Sequence, residues 1–153
     1  MGEQLTITKI KEGTVIDHIN SGKAVLVLRI IGIGPHTKEQ VSMAMNVSSK
    51  KLGKKDIVKV EGKFISEEEL NKISLIAPRA TINLIKDFEI QKKFRVNLPE
   101  TVEGILTCPN RHCITNSREP ITRRFNISFE NNQVVARCHY CNRKIVDIDK
   151  YVI

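Results

Sequence analysis

Cys108-Pro109-Asn110-Arg111-His112-Cys113 and, after 24 further residues, Cys138-His139-Tyr140-Cys141 hold all four cysteines of the chain. Each short pair can turn back on itself and aim two thiolates at one point, and the intervening stretch is long enough for a hairpin. Four thiolates at about 2.3 Å would fill a tetrahedral zinc shell and leave no position for water or substrate. The spacing therefore predicts one structural zinc per chain, held by Cys108, Cys113, Cys138 and Cys141.

Two disulfides are the alternative, and they would need an oxidising compartment. The chain opens Met1-Gly2-Glu3-Gln4-Leu5, with no apolar signal segment and no apolar run long enough for a membrane span. A cytoplasmic chain that keeps its thiols reduced and binds metal is the expectation. His112 and His139 flank the cysteines and could replace one as ligand, but four sulfurs already satisfy the ion.

Working outward, Phe125–Phe129 and Val134–Arg137 flank the turn Glu130-Asn131-Asn132-Gln133. This hairpin would bring the two knuckles together. Before them, Gln91 to Pro99 is polar and basic and reads as a linker. The expected division is therefore 1–99 and 100–153, the second unit being small, mainly β and dependent on its metal for folding.

The first unit shows longer periodic segments. Leu5–Ile10 and Gly13–Ile19 alternate as strands, with a bend at Glu12-Gly13. Gly22 to Ile33 is nearly continuous apolar sequence, whose length favours a helix over a buried strand; Asn20-Ser21-Gly22 offers a start and Gly32-x-Gly34-Pro35 a stop. Val41–Val47 and Asp56–Glu61 are strands around a lysine-rich turn, Ser48 to Lys55. Ser66-x-x-Glu69 is a capping box opening a helix that ends at Ala77-Pro78. Thr81–Ile85 and Phe88–Ile90 complete a βαββαβ order, so the predicted fold is α+β: a ferredoxin-like unit followed by the zinc unit.

The formal charge is +8, which suggests an anionic partner. Its placement says more. Residues 1–99 hold 17 basic against 11 acidic side chains, whereas residues 100–153 hold 8 against 6. A zinc ribbon that grips nucleic acid would carry its own basic face. Enzyme signatures are absent too: the chain has no phosphate-binding glycine loop, no Gly-x-Ser-x-Gly and no His-Glu-x-x-His. A ligand site is easier to place in the first unit. There the topology lets Asp17-His18, Lys59, Asn83, Lys92 and Lys93 converge, a carboxylate for hydroxyls and ammonium groups for phosphates. Lys50, Lys51, Lys54 and Lys55 read as a solvated loop face.

Gly13–Ile19, Gly53–Lys59, Ala77–Asn83, Asn97-Leu98-Pro99-Glu100 and both cysteine knuckles resemble, in order, the regulatory chain of aspartate carbamoyltransferase. The resemblance spans nearly the whole sequence. It implies a non-catalytic subunit in pyrimidine biosynthesis whose first domain binds CTP and ATP as effectors, with UTP as a further candidate, and pairs with a second regulatory chain. It implies that the zinc domain docks on the catalytic chain, with no nucleic acid polymer or membrane as partner. Matching positions place the effector around Ile10, Val15, Asp17, His18, Asn83, Ile85, Phe88 and Ile90, with Lys59 and Lys93 on ribose and phosphates. Phe88 stands where the family often has tyrosine; Thr8 and Lys9 also depart from its usual residues. Asn110, His112, Asn142 and Arg143 match positions that reach the catalytic chain. Two rivals remain from residues alone: a zinc-ribbon nucleic-acid binder, and a protein-interaction adaptor that binds no nucleotide.

Overall fold

The computed structural model describes residues 10–153. The expected strand from Leu5 to Lys9, and the substitutions at Thr8 and Lys9, lie outside the described residues.

Strand β1 (Glu12–Asn20) leads to helix α1 (Ala24–Ile30), the hairpin β2 (Val41–Ser49) and β3 (Gly53–Glu61), helix α2 (Glu67–Ile76), and the hairpin β4 (Thr81–Lys86) and β5 (Glu89–Arg95). Among the described residues these strands form one antiparallel sheet in the order β2-β3-β1-β4-β5. The first strand thus lies between the third and fourth, the ferredoxin-like arrangement, with β5 added at the edge.

Alternation divides the chemistry of this sheet. Ile16, Val58, Val60 and Ile82 face the helices and are buried with Val27, Ile31 and Ile73. Val15, Asp17, Lys59, Asn83 and Ile85 point to the other face, which no helix among the described residues covers.

The helices start by different means. Ser66 Oγ accepts the Glu69 amide, and Glu69 Oε1 accepts the Ser66 amide, closing the expected capping box. Helix α1 has no side-chain cap of its own. Instead the buried Asp56 carboxylate on β3 accepts the Gly22 and Ala24 amides at 2.9 and 3.0 Å, and the Asn46 amide at 2.9 Å. Gly13 has a φ of 143°, and a Cβ there would stand 2.1 Å from the Val60 carbonyl oxygen. Only glycine lets β1 lie this close to β3.

Three local readings need correction. Gln91–Arg95 is not a linker: it pairs with β4, turning back at Asp87 and Phe88, both with positive φ. Its polar, exposed pattern is that of an edge strand carrying few core side chains. The β2–β3 turn is shorter than Ser48 to Lys55, because Ser48, Ser49, Lys54 and Lys55 already belong to the ladder. Glu12-Gly13 is no bend between elements but the start of β1.

The second sheet has the order β6 (Thr101–Glu103), β7 (Arg124–Glu130), β8 (Gln133–Cys138) and β9 (Lys144–Ile145). Asn131 and Asn132 at the β7–β8 turn have φ of 52° and 61°, suited to a two-residue hairpin. Phe125, Leu106, Ala136, Ile145 and the cysteines form its core, which Leu75 of α2 also enters. Val152 packs against both cores. Lys23, just before α1, forms an ion pair with Asp149 of the 3-10 turn Ile148–Lys150.

Candidate metal centre and sheet cavity

The first cysteine pair is presented by the loop after β6, and the second by the end of β8 and the turn into β9. Their four sulfurs lie within 4.8 Å of one another. Cys108 Sγ stands 3.5 Å from Cys141 Sγ, and Cys113 Sγ 3.7 Å from Cys138 Sγ. Sulfurs each about 2.3 Å from one tetrahedral ion would be roughly 3.8 Å apart, whereas a disulfide needs about 2 Å. All four thiols are free. Neither histidine joins the cluster: His112 and His139 are exposed, and His139 stacks edge-on against Tyr140.

The knuckles are shaped by backbone bonds. The Cys113 amide donates to the Asn110 carbonyl and the Asn142 amide to the Cys138 carbonyl, Asn142 having a φ of 67°. Burial pushes the Cys108 and Cys138 thiols above their ordinary range. For Cys141 burial also acts upward, but hydrogen bonds from the Asn110 side chain and the Arg143 backbone overcome it and lower the thiol to about 7. Four thiols held this close favour a cation that replaces their protons.

Two contributors were missed in the sequence. Asn116 Nδ2 donates to the Cys108 and Asn110 carbonyls at 2.8 Å each, clipping the first knuckle. The buried Thr115 hydroxyl lies 3.1 Å from Cys113 Sγ. Their one sequence signal is polarity immediately after the second ligand. Of the residues expected at a docking face, His112, Asn142 and Arg143 are exposed, whereas Asn110 is half-buried and engaged within its knuckle. Ile114 and Tyr140 add exposed apolar surface beside them.

The open face of the first sheet holds a cavity of about 390 Å³. Register explains its lining. Lys59 pairs with Val15, Val15 with Asn83, and Asn83 with Lys93, so four strands set these residues in one row. The adjacent row carries Gly13, Ile85 and Ile90. Ile10, Asp17 and Phe88 complete the lining. Nine of the ten residues expected around an effector thus line one space.

His18 is the exception. A bulge in β1 between Ile16 and Ile19 splays Asp17 from His18, which has a φ of 56°. Asp17 remains in the cavity, while His18 Nδ1 lies 3.1 Å from Thr81 Oγ1. Burial is the main influence lowering the His18 pKa; Asp17 opposes it, and Lys55, Lys51 and Lys93 reinforce it. Lys92 also departs, with its ammonium over the Phe94 ring on the helix side.

Lys55 was misread as a solvated loop residue. It shares the cavity face of β3 with Lys59, two alternations away, and its Nζ pairs with Asp17 Oδ1. Asn83 Nδ2 donates weakly to the Val15 carbonyl at 3.5 Å, while its buried Oδ1 has no partner among the described residues. The cavity therefore offers apolar walls, an unfilled acceptor and two ammonium groups. Among the described residues, no helix is long and apolar enough to cross a membrane.

Comparison with known proteins matches both halves of the chain. Residues 5–97 match the family model described as aspartate carbamoyltransferase regulatory chain, allosteric domain, and residues 100–150 that described as its metal binding domain. The aspartate carbamoyltransferase regulatory chain of Archaeoglobus fulgidus is 64% identical over 150 residues, 97% of this chain and 98% of the relative. That of Pyrococcus horikoshii is 53% identical over 141 residues, covering 92% and 91%. That of Natronomonas pharaonis is 51% identical over 138 residues, covering 90% and 88%.

Proposed function

This chain belongs to the family of aspartate carbamoyltransferase regulatory chains, and from that premise we propose that it binds CTP and ATP in the sheet cavity and transmits their effect to catalytic chains. Residues 1–99 act as the effector domain and residues 100–153 as the docking domain. The chain itself is a regulatory, not a catalytic, subunit, and its association with catalytic chains follows from that role.

The row Lys59-Val15-Asn83-Lys93 is the observation that carries the reading. Val15, Ile85, Ile90 and Phe88 supply apolar surface for a base. Lys59 and Lys93 supply charge for a triphosphate, and Asp17 can accept from ribose hydroxyls. The unpaired Asn83 Oδ1 suits the exocyclic amino group that cytosine and adenine share. Uracil offers no such donor, so UTP binds more weakly at this position.

Zinc is the metal that best fits four thiolates, and it acts by keeping the docking surface folded. His112, Asn142 and Arg143, with Ile114 and Tyr140, form that surface. A second regulatory chain pairs with the effector domain. The nucleotide controls activity through its unequal affinity for two quaternary states.

Calorimetric titration of CTP and ATP into the zinc-loaded chain, paired with carbamoyl-transfer assays on a complex reconstituted with catalytic chains, tests the proposal. Saturable binding and a nucleotide-dependent rate are expected. Flat titrations together with an unresponsive complex would leave an adaptor without effector chemistry.

A further inference from the structure

A second cleft lies where the two sheets meet, away from the open sheet face. It is an open cleft of about 710 Å³. Three segments of the first unit reach it: the stretch before α1, the β2–β3 turn and the loop from α2 to β4. The β7–β8 hairpin closes it from the second unit.

Its lining is of one sign. Lys23, Lys51, Lys54 and Arg79 face it, and among the described residues no carboxylate lines it. Only Lys23 has an acidic partner, Asp149; among the described residues, Lys51, Lys54 and Arg79 pair with none. Cations gathered in a concave space focus a positive potential and repel one another until an anion enters. Polar groups accompany the charge. Asn132 stands at the hairpin tip, and Asn20 keeps a buried Oδ1 without a partner among the described residues. Phe129, 47% exposed, offers an aromatic wall.

We propose that this junction cleft is a separate anion site, which takes a phosphorylated small molecule bearing a hydroxyl or amino donor and bridges the two units. The cations of the first unit hold the phosphates. Phe129 and Asn132 of the second unit contact the rest, and Asn20 Oδ1 accepts the donor. Occupancy then fixes the relative placement of the two sheets, independently of the cavity around Val15 and Asn83.

Inorganic tripolyphosphate titrated into the full zinc-loaded chain, at constant ionic strength, is the test. The background variant is Lys59→Ala/Lys93→Ala, which strips the sheet cavity of its phosphate-binding ammonium groups. Saturable binding should persist there, and adding Lys54→Ala/Arg79→Ala should weaken it about tenfold or more. Both added positions are exposed, so the fold tolerates them. Amide shifts at Phe129 and Asn132 on binding are the second expected readout. Loss of all binding in the background variant would overturn the site, as would equal affinity after Lys54→Ala/Arg79→Ala. Neither outcome touches the CTP and ATP reading, which is measured on the wild-type cavity.

Discussion

Lys55 Nζ lies 3.0 Å from Asp17 Oδ1 across the seam between β1 and β3, at the rim of the sheet cavity. The Asp17 carboxylate also accepts its neighbour's amide, from His18, at 2.6 Å. Lys55 therefore both neutralises and orients the one carboxylate that lines the cavity among the described residues. Removing it leaves an uncompensated negative charge facing the triphosphate. Lys55→Ala should weaken CTP binding about tenfold, and cytidine binding much less, because the penalty acts on phosphate charge. Calorimetry with the nucleotide and the nucleoside checks this; equal losses for both would remove the electrostatic account.

Lys92 and Lys93 are neighbours with opposite assignments, because successive strand residues face opposite sides. Lys93→Ala should reduce triphosphate affinity by roughly tenfold while leaving metal content unchanged. Lys92→Ala should leave affinity nearly unaltered and cost at most about 1 kcal/mol of stability through its contact with Phe94. Comparing the two by titration and thermal unfolding separates a positioned ammonium from general positive charge.

Asn116 ties the carbonyls of Cys108 and Asn110 together without touching the metal position. Asn116→Ala should lower metal affinity by about ten- to a hundredfold, the usual effect of losing an outer-shell partner. Competition with a chromophoric chelator gives the ratio directly. Unchanged affinity would mean that the knuckle holds its shape without the clip.

Metal and protons compete for the same sulfurs, so pH separates the metal-free and metal-loaded forms. In the metal-free chain, Cys108 and Cys138 are raised by burial; a raised folded pKa stabilises below the unfolded value and is lost as pH rises. Cys141, at about 7, works oppositely, stabilising above the unfolded value and losing that as pH falls. With two thiols raised against one lowered, the metal-free second sheet should lose stability above about pH 9. The metal-loaded form, whose ligands are already thiolates, should hold its stability there. Thermal unfolding at pH 7 and above pH 9, with and without chelator, measures the difference.

Legibility in the sequence follows how local each cause is. The capping box at Ser66 and Glu69, the Asn131-Asn132 turn and the cysteine spacing need only a few neighbouring residues, and each is visible directly. Strand β5 is legible only at its start, Glu89 and Ile90, because Gln91, Lys92 and Lys93 bury little and owe their extended form to pairing with β4. The cavity is intermediate. Resemblance gathers nine of its lining residues, whereas residue chemistry alone suggests only that Asp17, His18, Lys59, Asn83, Lys92 and Lys93 converge, and of these His18 and Lys92 do not line it. Lys55 escapes because turn length is misjudged when Ser48 to Lys55 is read by composition. The bulge that turns His18 away toward Thr81 depends on cross-strand register, which a single strand's pattern does not encode.

Transmission between the two units needs a physical link, and the Lys23–Asp149 ion pair provides one. Lys23 precedes α1, whose first turn is held by Asp56 of β3, next to Lys55 at the cavity rim. Asp149 belongs to the 3-10 turn that packs on β8 and its metal-bearing end. Both side chains are about one-third exposed, so the pair itself should contribute no more than about 1 kcal/mol to stability. Its larger effect is expected in coupling. Lys23→Ala and Asp149→Ala should each reduce nucleotide control of a reconstituted complex without changing CTP affinity of the free chain. The double variant should do no more than either single one, because both remove the same contact. Additive losses would mean that the two residues act on control separately, and full control in all three variants would move the coupling to the Leu75 and Val152 packing instead.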